Sequence, residues 1–210
     1  PDLFTDDKKS FLDLSCGNGA TLEILRFLGH TGFGVDYESK NHCFDKPLFN
    51  STLEMNNKWP YKILLKSQNL DFKGHDLNVL PYPFEDNSFD YVISDQVLEH
   101  ITMPEQAIKE ALRVLKPNGI AIHTTCFMNY YHPSPIDYFR FSPDALKYLH
   151  HGYSRIIIGG WGNRLAIAIC MLGDRFRAIP IPNHKYSLRN FIASYNKTRY
   201  PISTWSIAEK

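Results

Sequence analysis

The sequence predicts an α/β fold built on a doubly wound, mostly parallel sheet. Three observations carry this. Phe11-Leu-Asp-Leu14 is a short apolar run of the kind that forms a strand buried on both faces; it breaks at Gly17-Asn18-Gly19 and resumes as a helical pattern through Leu22, Leu25 and Phe27-Leu28. Acids recur where successive predicted strands end, at Asp13, Asp36, Asp76 and Asp95. Pro104 to Leu115 is an amphipathic helix with Ala107, Ile108, Ala111, Leu112 and Leu115 on one face, and another apolar strand follows it at once. Strands alternating with helices in this way imply a parallel sheet covered on both sides.

The elements follow in order. His30 to Tyr37 reads as the second strand. Asn41 to Gln68, interrupted by Pro47 and Pro60, reads as a broken helix and loop, with His42, Cys43 and Asp45 as local surface or packing residues. Leu70 to Asp76 reads as the third strand and Tyr91 to Asp95 as the fourth. Lys116-Pro-Asn-Gly119 stops the amphipathic helix, and Gly119 to Thr125 is the fifth strand. Ser142-Pro143 opens a further helix as cap and first residue, which ends in an exposed His150-His151-Gly152. Arg155 to Ile158 is a sixth strand and Gly159-Gly160-Trp161-Gly162 a turn. Asn163 to Leu172 suits a short buried helix or a dimer face, and Ile202 to Ala208 a closing strand.

Composition sets the outer bounds. The 210 residues suit one domain spanning 1–210, and 43% apolar with 14% aromatic residues is a globular composition. Four dispersed cysteines, with no Cys-x-x-Cys, weigh against a zinc site or a disulfide framework and agree with a reducing, cytoplasmic setting. The longest apolar run, Leu165 to Leu172, is too short to span a bilayer, and no secretory leader is expected. Net charge is +1, unevenly placed. Residues 161–200 carry seven cations (Arg164, Arg175, Arg177, Lys185, Arg189, Lys197, Arg199) against Asp174, so +6, and the remainder carries −5. This basic insertion is a solvated face, or a surface for an anionic or phosphate-bearing substrate or for peripheral contact with an acidic membrane.

The glycine turn after the first strand is a ligand cradle, because free N–H groups at a helix start attract a carboxylate or phosphate. A dinucleotide fingerprint needs a third glycine where Leu22 stands, and Asp13 would repel a pyrophosphate but suit a cation. Asp13 to Gly19 resembles the glycine-rich loop of the class I S-adenosylmethionine-dependent methyltransferases, with Ser15 in place of the usual first glycine. Leu80-Pro-Tyr-Pro-Phe-Glu-Asp-Asn-Ser-Phe-Asp90, the Val97-Leu-Glu-His100 segment and Leu112-Arg-Val-Leu-Lys-Pro-Asn-Gly119 match further motifs of that family in order. The resemblance, to methyltransferases of type 11, implies a Rossmann-like sheet of seven strands, mostly parallel with an antiparallel last strand. It implies S-adenosyl-L-methionine as cofactor and methyl transfer to a small-molecule acceptor, a sugar or similar metabolite.

Under that resemblance Asp13, Ser15, Cys16, Gly17 and Gly19 form the cofactor loop. Asp36 accepts hydrogen bonds from ribose hydroxyls. Tyr37 covers the adenine or merely packs; Asp76 and Leu77 meet the adenine edge and face; Asp95 and Gln96 flank the methionine part. Glu99 and His100 read as structural residues of a helix start rather than as an acid/base pair. Residues 127–141 form a loop where the acceptor would sit. It resembles a His-x-x-Pro-x-Asp-Tyr-x-Arg signature of members linked to cell-surface polysaccharide and glycolipid synthesis. There His132 is the candidate general base, since histidine exchanges protons near neutral pH. Tyr131, Asp137 and Arg140 are candidate substrate contacts, although Asp137 and Arg140 suit a pair that braces the loop somewhat better. No metal is required. Two other readings are open: nucleic-acid methylation, which the near-neutral net charge weighs against, and a non-catalytic S-adenosylmethionine-binding protein.

Overall fold

A computed structural model of the chain describes residues 7–17, 19–37, 71–133, 136–172, 191–192, 194–197 and 199–210. Strand β1 (Ser10–Leu14) leads into helix α1 (Ala20–Phe27) and strand β2 (Thr31–Asp36). Then come β3 (Asp71–Gly74), β4 (Phe89–Asp95), a 3-10 turn at Leu98–His100, α2 (Pro104–Val114) and β5 (Leu115–Cys126). The chain continues as α3 (Pro143–Leu149), β6 (Arg155–Trp161), α4 (Arg164–Met171) and β7 (Ser203–Glu209). These strands form one seven-stranded sheet in the order β3-β2-β1-β4-β5-β7-β6. All neighbours from β3 to β5 run parallel; β7 lies antiparallel between β5 and β6. The predicted Rossmann-like sheet with an antiparallel last strand is therefore the observed fold.

The alternation of side chains along β1 explains why both faces are covered. Phe11 stacks on Tyr91 at 4.6 Å and packs with Leu25 of α1 on one face. Leu12 and Leu14 point to the other, into the main core with Val35, Val92 and the apolar stripe Ala107, Ile108, Ala111 and Val114 of α2. A strand order that reverses between β1 and β4 leaves a crevice at the carboxyl ends of these strands, where ligands of open α/β sheets bind.

Leu22 shows how this chain dispenses with a third loop glycine. It is fully buried, and β2 answers it with glycine: a Cβ at Gly32 would lie 2.9 Å from Leu22 Cδ2, and one at Gly34 2.7 Å from Leu22 Cδ1. The close helix–strand approach is made by removing side chains from the strand rather than from the helix.

Several sequence expectations are corrected. Gly159, Gly160 and Trp161 do not form a turn but complete β6, paired with Trp205, Thr204 and Ser203. Gly159 is small because the Trp205 indole lies over it; a Cβ there would sit 2.2 Å from the ring. His150 is not an exposed helix end. It is fully buried, its Nδ1 hydrogen-bonds Leu146 O and its ring lies 5.2 Å from His123. The third strand is shorter than expected, and Asp76 lies in the turn after it. Helix α4 buries Ala166 but leaves Leu165 50% and Met171 54% exposed, so it is not a buried helix. Ser142 caps α3 as expected, accepting a bond from the Ala145 amide at 3.2 Å. The broken helix with His42, Cys43 and Asp45, and Arg175, Arg177, Lys185 and Arg189 of the basic insertion, lie outside the described residues. Among the described residues no helix is long and apolar enough to cross a membrane.

Candidate active site

The site is assembled from strand ends. After β1 the chain turns with positive φ at Ser15 (64°), Gly17 (50°) and Gly19 (77°), the last being the N-cap of α1. A Cβ at Gly17 would meet no heavy atom within 4 Å, so the loop presents open backbone. The Gly17 amide donates to Asp36 Oδ2 at 2.8 Å and the Tyr37 amide to Asp36 Oδ1 at 2.7 Å. Cys16 is buried with its Sγ towards Gly34.

Asp13 is the electrostatic oddity. It is buried, and burial first, then the negative charges of Asp95 and Asp36, raises its carboxyl to about 7 despite a hydrogen bond from Thr21. A carboxyl in such a place gains from a cation beside it. Asp95 itself accepts from the Thr124 hydroxyl. Gln96 has positive φ (56°), and its amide donates to Thr124 O at 3.1 Å. Asp76 Oδ1 accepts from the Asn78 amide at 2.9 Å, which shapes the turn that carries Leu77.

A cavity of about 530 Å³ opens beside these strand ends, although Asp13, Cys16, Gly17, Gly19, Asp95 and Gln96 are not among the residues that line it. Ser15, Asp36, Tyr37, Asp76, Leu77 and Asn78 line one part; Val97, His100, Ile101, Ile136 and Tyr138 line the other. Its size and its mix of apolar walls with a few acids suit a cofactor-sized ligand.

The loop after β5 supplies the far wall. Asp137 and Arg140 form a two-pronged ion pair, and Arg140 also donates to Tyr130 O and Phe139 O. The guanidinium holds the Asp137 carboxyl well below the usual carboxylate range. The pair is thus occupied in bracing the loop. His132 is bound into the same brace: its amide donates to Asp137 Oδ2 at 3.0 Å, and its Nδ1 lies 3.3 Å from that oxygen. Its Nε2 lies 3.8 Å from Glu99 Oε1. Tyr131, by contrast, is 67% exposed on the surface of the loop.

Two features were not anticipated. Glu99, expected to have a local helix-start role, is wholly buried and takes a hydrogen bond from Thr125 Oγ1 at 2.7 Å. Ile136 and Tyr138 become cavity walls because backbone bonds from Tyr138 and Phe139 to Glu99 O dock the loop on the turn after β4. The only advance signal was the aromatic, proline-rich character of the loop.

Together, the doubly wound sheet and a cavity at its switch point define a ligand-binding α/β enzyme fold. Residues 12–123, more than half of the chain, match the methyltransferase domain family, and the chain belongs to it. It is an S-adenosylmethionine-dependent methyltransferase. Over 200 residues, covering 91% of this chain and 75% of the relative, it is 26% identical to a 2-phytyl-1,4-naphtoquinone methyltransferase of Trichormus variabilis. It is 33% identical over 114 residues, 53% of this chain and 42% of the relative, to a demethylmenaquinone methyltransferase of Staphylococcus saprophyticus. Among solved structures, a SAM-dependent methyltransferase from Archaeoglobus fulgidus superposes with a TM-score of 0.61 at 15% identity over 98% of this chain and 87% of its own. The phosphoethanolamine N-methyltransferase 2 of Haemonchus contortus, in complex with S-adenosyl-L-methionine, superposes at 0.62 with 18% identity over 99% of this chain and 50% of its own. At such identities the two superpositions establish the fold alone.

Proposed function

We propose that this methyltransferase acts on a ring hydroxyl of a small molecule, with His132 as the base that takes the hydroxyl proton. The observation that carries the reading is a cavity running from Asp36 and Asp76 to His100 and to Ile136 and Tyr138 of the loop that carries His132.

The residues fit the cofactor. Open backbone at Gly17, the Asp36 carboxylate beside it, the Asp76–Leu77 turn and the buried Asp13 offer hydrogen-bond acceptors, an apolar face and negative charge to a cationic nucleoside. When bound, the cofactor supplies a methyl group already activated by positively charged sulfur. The chain's own work is positioning, which supplies roughly 7–11 kcal/mol in favourable cases. Asp36 and Asp76 accept hydrogen bonds; Leu77, Val97 and Ile101 exclude water; Asp13 balances positive charge. The Nδ1 of His132 is held by Asp137 and Tyr130 O, which leaves Nε2 to accept a proton, and buried Glu99 stabilises the resulting imidazolium.

Ile136 and Tyr138 favour a flat or ring-shaped acceptor, in keeping with the quinone substrates in the names of the two relatives above. Whereas a quinone presents a hydroxyl only in its reduced, hydroquinone form, a sugar, including one destined for cell-surface polysaccharide, presents one directly. Its phosphate-bearing forms suit the basic segment that includes Arg164, Lys197 and Arg199. A methyl-transfer assay with hydroquinones, phenols and nucleotide sugars tests the reading. With the accepted substrate, His132→Ala should lower kcat by about 10²–10⁴ while cofactor affinity is kept. Unchanged turnover in that variant would remove His132 from the chemistry.

A further inference from the structure

We infer that Glu99, His100 and His132 form a site for one divalent transition-metal ion of the Zn²⁺ type, at the acceptor end of the cavity. Candidate ligand atoms of the three side chains lie within 4.8 Å of one another. Glu99 and His100 come from the turn after β4, and His132 comes from the loop after β5.

The hydrogen bonds around the cluster leave one donor atom on each residue. Glu99 Oε2 accepts from Thr125 Oγ1, leaving Oε1 towards His132. His100 Nδ1 lies 2.5 Å from Ile136 O. A carbonyl can only accept, so Nδ1 carries the proton and Nε2 the lone pair. His132 Nδ1 lies 3.3 Å from both Asp137 Oδ2 and Tyr130 O, again acceptors, which puts the lone pair on Nε2. That lone pair then faces a carboxylate oxygen at 3.8 Å, an arrangement of two acceptors that either a proton on Nε2 or a metal cation satisfies. Gln96, with its amide turned to satisfy its neighbours, donates to Glu99 Oε1 at 3.3 Å, and the Cys126 thiol also hydrogen-bonds the Glu99 side chain; with Thr125 that fills three of the carboxylate's four acceptor positions and leaves one. Metal-binding histidines typically donate their second N–H to a carboxylate or a carbonyl, and both histidines here do so.

Two imidazoles and one carboxylate suit Zn²⁺ or Fe²⁺ better than Mg²⁺ or Ca²⁺, which favour all-oxygen sites. Ligand atoms on a loaded tetrahedral ion stand about 3.3 Å apart, so the cluster must close slightly as an ion binds. Three protein ligands leave a position open, and His100 lines the cavity that an acceptor would enter. In use, the inference rests on the proposed methyl transfer. A bound ion would lower the pKa of a coordinated acceptor hydroxyl, whose proton leaves to solvent, and His132 would then serve as ligand in place of base.

The test needs neither cofactor nor acceptor, so its failure and the failure of the proposed reaction are separable. Zn²⁺ alone is titrated by calorimetry into chelator-treated protein, with Mg²⁺ as a competitor and the visible spectrum of the Co²⁺ form as a second readout. The expected result is one Zn²⁺ per chain, unaffected by Mg²⁺. His132→Ala and Glu99→Gln should each weaken it by at least about 100-fold, and Asp137→Asn by about 10–100-fold. His151→Ala, at an exposed position, should change nothing. Should Glu99→Gln fail to fold, as thermal unfolding would reveal, the half-exposed His132 and its Co²⁺ spectrum decide the matter. No stoichiometric binding to the wild type, or undiminished binding and spectrum in His132→Ala, would overturn the inference.

Discussion

The carboxylate of Asp36 accepts a hydrogen bond from the Gly17 amide at 2.8 Å, tying the end of β2 to the loop that follows β1. One acid thereby shapes the loop and faces the cavity with its remaining capacity. Asp36→Ala should weaken binding of S-adenosylmethionine and its demethylated product by about 10–100-fold, the worth of charge-assisted hydrogen bonds. The bond is exposed, so the unfolding temperature should hardly move. Isothermal calorimetry on the wild type and this variant checks this; equal affinities would remove Asp36 from the cofactor site.

Asp13 should make cofactor binding pH-dependent. Its carboxyl, raised to about 7, is partly protonated at neutral pH. A cationic ligand favours the ionised form, so affinity should rise from pH 6 to pH 8 with proton release. The sign for stability is the reverse. A folded-state value above the unfolded one means that the native state holds the extra proton, so this group's contribution is lost as pH rises from about 4 to about 7. In Asp13→Asn both slopes should flatten, as measured by calorimetry in two buffers and by unfolding across pH.

Gly34→Ala should destabilise the fold by about 1–3 kcal/mol, the usual cost of overpacking. Its Cβ would stand 2.6 Å from Cys16 Sγ and 2.7 Å from Leu22 Cδ1. Urea unfolding of Gly34→Ala, Leu22→Ala and the double variant checks the mechanism: Leu22, fully buried, costs about 2–5 kcal/mol when cut to Ala, and the double variant should lose less than the sum of the two single losses.

Arg140→Ala leaves the Asp137 side chain, only 1% exposed, without its cation. The cost should be about 3 kcal/mol, typical of a broken buried pair. Acceptor turnover should fall with cofactor affinity retained, because the loop carries His132 and not Asp36 or Asp76. Arg140→Lys should recover little, since one ammonium cannot reproduce the two-pronged contact and the carbonyl bonds.

By itself the sequence determined the sheet, the glycine loop and the acids at the strand ends. Each of these is local: a run of apolar residues, a turn and the residue that ends a strand are neighbours along the chain, and hydrophobic periodicity reports them directly. Only the tertiary structure decided the rest. Gly159 and Gly160 read as a turn until Trp205, in a strand that pairs across 46 residues, is laid over Gly159. His150 reads as an exposed end until β7 brings Ser206 to 3.2 Å from it. Glu99, His100 and His132 have no ligand-like spacing in the chain. They meet because parallel strands β4 and β5 end side by side, and the loop after β5 folds back to bond the Glu99 carbonyl. Contacts made by strand order and loop docking leave no period in the sequence, which is why the glycine loop and the strand-end acids were legible and the meeting of Glu99, His100 and His132 was not.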